Sequence, residues 1–482
     1  MSVLSHLEPK KVFAFFEEIC AIPHGSGNTA QISNYCVNFA KERGLEYHQD
    51  ALGNVIISAP GTPGYEDSQP IILQGHMDMV CVKTDDCPLD LTRDGLQLAV
   101  EGDYIYAKGT SLGGDDGAAV AMMLALLDSP ELPHPPIEAL ITVDEETGMF
   151  GAAGIDFSPM KGKKLINIDS EEEGIFTVSC AGGVRAVCTL PVERQTVTLA
   201  RCRITVDGLL GGHSGVEIHK GRGNAITLLG RVLCAVAEKA PVGLLELSGG
   251  TADNVIAKGA HAVLTADERD LQAVEQAVAE MGAVLSAELV QTDPGVQVTL
   301  EVLPPQEAKA VMGTDLERLL TVTRQLPQGV QAMSESIPGL VQTSLNLGRA
   351  SLNENELELH FALRSSVSAE KAELVNRLKE IMIAQGGSMS TDGDYPAWEY
   401  RQDSPLRDLM VKVYTQQYGK PPKVDAIHAG LECGLLTSKR PELDCVSIGP
   451  NILDIHSVKE KLSISSMERS WKFLLEVLKQ SK

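Results

Sequence analysis

A short apolar run, Ile71-Ile-Leu73, leads within three residues to His76 and then to Asp78. A run of this length bounded by glycine reads as a buried strand, and in an open α/β sheet the chemistry collects just beyond the carboxyl ends of such strands. Alternate residues of an extended segment point the same way, and a ligating imidazole commonly donates its second ring N–H to a carboxylate. For this stretch by itself, a loop histidine followed by a turn aspartate is the alternative. The reading therefore depends on partners elsewhere in the chain.

The same pattern recurs. Ala139–Val143 reads as a strand and ends in Asp144-Glu145-Glu146-Thr-Gly, while Lys164–Ile168 delivers Asp169 to an equivalent position. Asp115 and Asp116 lie in a glycine-rich loop just before an apolar helix, Ala118–Leu127, where glycine permits close backbone approach. Capping that helix would occupy one of the two aspartates and leave the other looking for a role. Further on, the strand Leu443–Ile448 is followed by a loop that reaches His456. A solvated acidic turn is the alternative for residues 144–146. Carboxylates repel one another, so several facing one site call for cations. Mixed nitrogen and oxygen donors favour zinc and admit manganese or cobalt. Two ions would be held by His76, Asp115, Glu146, Asp169 and His456, with one carboxylate bridging. Glu145, left uncoordinated, suits a general base. The natural reaction of such a centre is hydrolysis of an amide.

At 482 residues the chain is long enough for several domains. Residues 1–183 alternate helix and strand, and residues 397–482 return to that pattern but are too few to fold alone. Between them, residues 184–396 carry two βαββαβ-like series, an α+β texture. The expected architecture is an α/β domain completed by the closing segment, with the middle region inserted into it. Lys plus Arg number 41 against 65 Asp plus Glu, a net charge of −24, which argues against nucleic acid or an anionic membrane as partner. The amino terminus lacks a basic region followed by an apolar core, and no stretch approaches about 18 consecutive apolar residues, so a cytoplasmic protein is expected. Ten thinly spread cysteines read as free thiols.

In order and context, His76-x-Asp78, Gly-Gly-Asp115-Asp116, Asp144-Glu145-Glu146-Thr-Gly, Asp169 and His456 resemble the co-catalytic zinc peptidases that include carboxypeptidase G, peptidase T and aminoacylase. The nearer likeness, through essentially the whole chain, is to the carnosinase-like Xaa-His (aminoacyl-histidine) dipeptidases. The resemblance implies that His76 and Asp169 bind one zinc, Glu146 and His456 the other, and that Asp115 bridges them. Asp78 would orient His76, Glu145 would be the base, and the Asp115–Asp116 peptide would be cis. It implies a lid of two ferredoxin-like units formed by the insert, closing over a small peptide substrate, and a homodimer, although a doubled lid would also serve a monomer. His213, in Gly211-Gly-His-Ser-Gly215, would stabilise the oxyanion, and Asn254 and Arg364 would hold the substrate. A guanidinium suits a C-terminal carboxylate because it binds both oxygens. Glu432 would receive the free amino group. Turn residues at His213 and Asn254, a solvated Arg364 and a helix-capping Glu432 are the alternatives. The implied substrate is a dipeptide with C-terminal histidine. The rivals are an aminoacylase or carboxypeptidase acting on N-blocked substrates, and a non-catalytic metal-binding module, which would not need Glu145.

Overall fold

Four strands run parallel and side by side, in the order Ile137–Thr142, Ile71–His76, Lys164–Asn167 and Asp444–Ser447. Nearly every residue in them is buried, as expected of parallel strands covered on both faces. Their carboxyl ends share one edge of the sheet. His76, residues 144–146 and Asp169 leave from three of those ends.

The computed structural model describes residues 2–482 and divides into two compact units. The first comprises the chain through Ser179, Tyr400–Ala426 and Leu431–Lys482; the second comprises Cys180–Glu399 with Ile427–Gly430. In the first unit the four parallel strands belong to a mixed eight-stranded sheet. The helix Gly114–Leu127 is buried along its whole length, and its apolar sequence gives it no polar face to show to water. It packs against the helix Lys10–Cys20, where a Cβ on Gly117 would meet the Phe16 ring at 3.3 Å.

The strands of the hairpin Leu98–Glu101 with Tyr104–Ala107 have only four residues each, too few for hydrophobic periodicity to mark them. This hairpin is joined by Ile452–Leu453 and Lys461–Ser463 into a four-stranded sheet that frames His456. Among the described residues, no helix is long and apolar enough to cross a membrane.

The second unit is built on a separate, nine-stranded antiparallel sheet. Its two series of strands join where Ser248–Gly250 pair with Arg349–Ser351. Helices Ala225–Lys239, Leu271–Glu288, Gly313–Gln325 and Ser368–Ala384 accompany the sheet, and residues such as Ile204, Leu229, Leu264, Leu345 and Phe361 fill its core. One strand, Gln297–Val311, runs for 15 residues across two prolines. It carries Pro304 and Pro305 through a register shift, with Leu303 opposite Arg201 and Gln306 opposite Leu199. Proline lacks the ladder N–H, and a bulge is where a sheet tolerates that loss.

Candidate metal centre and active site

Asp115 is the hinge of the site. Its Oδ1 lies 3.1 Å from His76 Nε2 and its Oδ2 lies 3.2 Å from His456 Nε2, so each carboxylate oxygen faces a different imidazole. His76 Nε2 is also 3.7 Å from Asp169 Oδ1, and His456 Nε2 is 2.9 Å from Glu146 Oε1. Donors about 2.0–2.2 Å from a tetrahedral cation stand roughly 3.3–3.6 Å apart, and these pairs, at 2.9 to 3.7 Å, lie within about 0.4 Å of that separation. Three groups have donor atoms mutually close enough to hold an ion: Asp115 with Glu146 and His456; His76 with Asp116 and Asp169; and His76 with Glu145 and Glu146.

The tautomer of His76 sharpens the fit. Its Nδ1 donates to the main-chain carbonyl of Asp78 at 2.9 Å, which leaves Nε2 facing the two carboxylates. A lone pair aimed at carboxylate oxygens is repelled, so that position demands a proton or a metal cation. In the metal-free protein the proton serves. Burial alone would lower the His76 pKa, but the hydrogen bond to Asp115 and the neighbouring Asp78 carboxylate push it well above its usual range. At His456, the hydrogen bond to Asp115 and the adjacent Glu146 carboxylate raise the pKa to about 10. Burial, reinforced by neighbouring carboxylates, pushes Asp169 and Asp116 well up and Glu145 to about 8. Glu146 Oε1 is buried and, despite its proximity to His456, lacks an aligned hydrogen-bond partner. The cluster has the crowding and the orphaned acceptor of a site built for more positive charge than protons bring.

The carboxylate of Asp78 does something the sequence did not suggest. It is 3.5 Å from His76 Nδ1, farther than the Asp78 carbonyl, and its own acceptors are taken up elsewhere. Oδ1 accepts from Glu145 N at 3.1 Å, and Oδ2 accepts from Ser26 Oγ at 2.8 Å and Glu146 N at 3.4 Å. Asp78 therefore holds His76 through its backbone and the Glu145–Glu146 loop through its side chain.

Asp115 and Asp116 have non-helical dihedrals and the peptide between them is cis, so the regular helix begins behind them, and the Asp116 carboxylate accepts from the Ala119 N–H of its first turn. Asp116 also reaches the sheet. Its Oδ2 accepts from His76 N at 3.2 Å, an approach open because residue 75 is glycine: a Cβ there would sit 2.3 Å from that oxygen. Glu432 also departs from expectation. It begins the helix Glu432–Lys439 without capping it, is fully buried, and accepts from Gln74 Nε2 at 2.5 Å and Thr142 Oγ1 at 2.7 Å. Burial raises its pKa to about 7. Its Oε2 braces two strands of the sheet, while its Oε1 is buried without a hydrogen-bond partner. Beside Glu146 a cleft of about 360 Å³ opens, walled in part by Met79, Val80, Cys81 and Leu91.

Residues 72–480 match the sequence model of Peptidase family M20/M25/M40. The chain belongs to this family. It is 36% identical over 482 residues to the cytosol non-specific dipeptidase of Escherichia coli K12, covering 100% of this chain and 99% of that protein. Its structure superposes on the aminoacylhistidine dipeptidase of Vibrio alginolyticus with a TM-score of 0.95 at 35% identity, over 98% of this chain and 97% of the other. The aminopeptidase PepT of Bacillus cereus shares the fold at a TM-score of 0.57 and 15% identity, over 98% and 99% of the two chains. The resemblance drawn from the motifs thus holds at the level of family and of the central mixed sheet with a separate antiparallel one.

Within the second unit the remaining candidates gather around one short ladder. Gly212–His213 pairs with Val255–Ile256, and Ser214 N donates to Asn254 O at 2.8 Å, leaving the Asn254 side chain exposed. His213 Nδ1 accepts from Gly215 N at 3.2 Å and Val216 N at 3.3 Å, so the neutral ring carries its proton on Nε2. Burial and then the Arg364 charge lower the His213 pKa, which keeps the ring neutral. Arg364 stands opposite Ser344 in the sheet; its Nη1 donates to Tyr395 Oη at 3.0 Å while its Nε is buried without a partner. His428, which no motif singles out, has its Nε2 2.7 Å from Ser344 Oγ, and burial and Arg364 press its pKa down to about 3.

Proposed function

We infer that this chain is a cytoplasmic dipeptidase that hydrolyses short unblocked peptides with two zinc ions, manganese or cobalt being able to substitute. As a member of its family with full-length dipeptidase relatives, it is an M20 metallo-dipeptidase. The observation that carries the chemistry is the carboxylate of Asp115 facing one imidazole with each oxygen, with Glu145 alongside. His76 and Asp169 would hold one ion, Glu146 and His456 the other, and Asp115 both. When bound, such a pair supplies Lewis acidity, acidifying water and polarising an amide carbonyl.

The chain's own residues do the rest. Glu145 accepts the proton of the attacking water on its carboxylate and passes it to the leaving amine, and Asp78 fixes the backbone from which Glu145 projects. The second unit acts as a lid of two ferredoxin-like halves, with His213 Nε2–H donating to the developing oxyanion, Asn254 beside it holding the substrate, and Arg364 taking the substrate carboxylate. Support for the cytoplasm comes from the name of the Escherichia coli relative and from buried free thiols such as Cys20, Cys36, Cys202 and Cys445. The homodimer that the resemblance implies belongs to the same reading and is checked by sedimentation.

The relatives' names differ in breadth, one non-specific and one aminoacylhistidine, so a preference for C-terminal histidine is part of the proposal. A panel of free dipeptides, N-acetylated analogues and tripeptides, assayed before chelation, after it and after zinc restoration, tests it. Free dipeptides should be cleaved, Xaa-His fastest, and chelation should stop the reaction reversibly; cleavage of blocked substrates alone would overturn it. For Arg364→Ala, kcat/KM on dipeptides should fall about 10- to 100-fold, mostly through KM, the size of losing a charged hydrogen bond. Dipeptide amides, which lack the carboxylate, should be indifferent to the change. An equal loss on amides would remove the carboxylate role.

A further inference from the structure

One buried carboxylate near the site has no role so far. Glu460 is 3% exposed and takes four successive backbone N–H groups: Leu112 at 2.8 Å and Gly113 at 3.1 Å on Oε2, Gly114 at 2.8 Å and Asp115 at 3.4 Å on Oε1. Consecutive N–H groups converge on one anion only when the backbone curls around it, and Gly113, at φ 68°, supplies the left-handed residue that this curl requires. Side chains are excluded from the curl as well. A Cβ on Gly113 would meet Met79 Sδ at 2.8 Å, and one on Gly114 would meet Glu460 Oε1 at 3.3 Å.

Glu460 lies four residues beyond His456, on a loop that braces itself. Ser457 Oγ donates to Asp454 O at 2.7 Å, Lys459 N donates to Ser457 Oγ at 3.1 Å, and Glu460 N donates to Ser457 O at 3.2 Å. Asp454 and His456 hold left-handed backbone angles, φ 52° and 58°, which a non-glycine residue keeps only where its surroundings impose them. The side chain of Glu460 thus ties the loop that presents His456 to the backbone that presents Asp115. These two residues, with Glu146, form one of the candidate ion-holding groups.

We propose that Glu460 is a positioning residue that sets Asp115 and His456 at cation-binding distance before the ion arrives. The inference rests on the ligand set proposed above, and it places the larger effect of Glu460 on the ion position of Asp115, Glu146 and His456, where both residues that it sets are ligands, and a smaller one on the position that shares Asp115 alone. In Glu460→Gln one oxygen becomes an NH₂ group that opposes two N–H donors, so that half the cradle is lost with its charge.

Zinc titrated calorimetrically into the metal-free wild-type protein should bind in two events. In Glu460→Gln one event should be weakened about 10- to 100-fold, as is typical when a group behind a ligand is lost, and the other, which shares only Asp115, clearly less. Saturating zinc should then restore turnover. Two unchanged events, or equal weakening of both, would overturn the proposal; absence of zinc binding by the wild type would instead refute the ligand set. Should Glu460→Gln not fold, amide hydrogen exchange in the metal-free wild type still decides the matter. Leu112, Gly113 and Gly114 should be protected, and exchange at unprotected rates would mean that no cradle exists.

Discussion

Glu145→Gln is expected to keep both cations while turnover falls about 10²- to 10⁴-fold, the range for removing a positioned acid–base group. Glutamine has the shape of glutamate but cannot accept the water's proton. The replacement should not move the loop, because Asp78 holds the main-chain N–H groups of residues 145 and 146 rather than their side chains. Metal analysis beside kcat on a free dipeptide checks the expectation. Normal turnover with two equivalents of metal would take Glu145 out of the mechanism. Loss of metal along with turnover would make it a ligand, the role open to it alongside His76 and Glu146.

The parts of the fold legible in the sequence are those where hydrophobic run length and function coincide. Ile71–Leu73, Ala139–Val143 and Lys164–Ile168 announce buried strands, and parallel neighbours must release their loops at one edge, so the convergence of His76, residues 144–146 and Asp169 could be read without coordinates. Contacts made across long sequence separations could not. Glu460 reaches back 345 to 348 residues to its cradle, and nothing in its local sequence distinguishes it from a solvated glutamate on a charged loop. The setting of Glu432 is hidden for the same reason, because a glutamate at a helix start carries no local sign that this end is buried against Gln74 and Thr142. Asp116 needed Gly75 to be seen as its neighbour. The strand over Pro304 and Pro305 needed the register of its partner, since proline by itself ends a strand in any local reading.

Asp115→Ala should behave differently from Glu145→Gln although both delete a carboxylate from one cluster. Alanine removes the two oxygens that face His76 and His456, so each ion position loses a donor in a single step. Metal content and turnover are expected to fall together, turnover to the level of chelated wild type. Stability should follow occupancy. An ion present at about a hundredfold over its dissociation constant stabilises the folded chain by roughly 2.7 kcal/mol, so the melting temperature of Asp115→Ala as purified should drop to that of the chelated wild type or below. A drop below is reasonable, because in the metal-free protein Asp115 is the hydrogen-bonded counter-charge of both imidazoles, and its loss leaves His76 with Asp169 at 3.7 Å as its nearest remaining carboxylate on that side. Added zinc should not raise the variant's melting temperature as it does for the chelated wild type. If Asp115→Ala still bound two equivalents and turned over, the bridging assignment would fall, and the two imidazoles would have to belong to separate sites joined through Glu146 or Asp116.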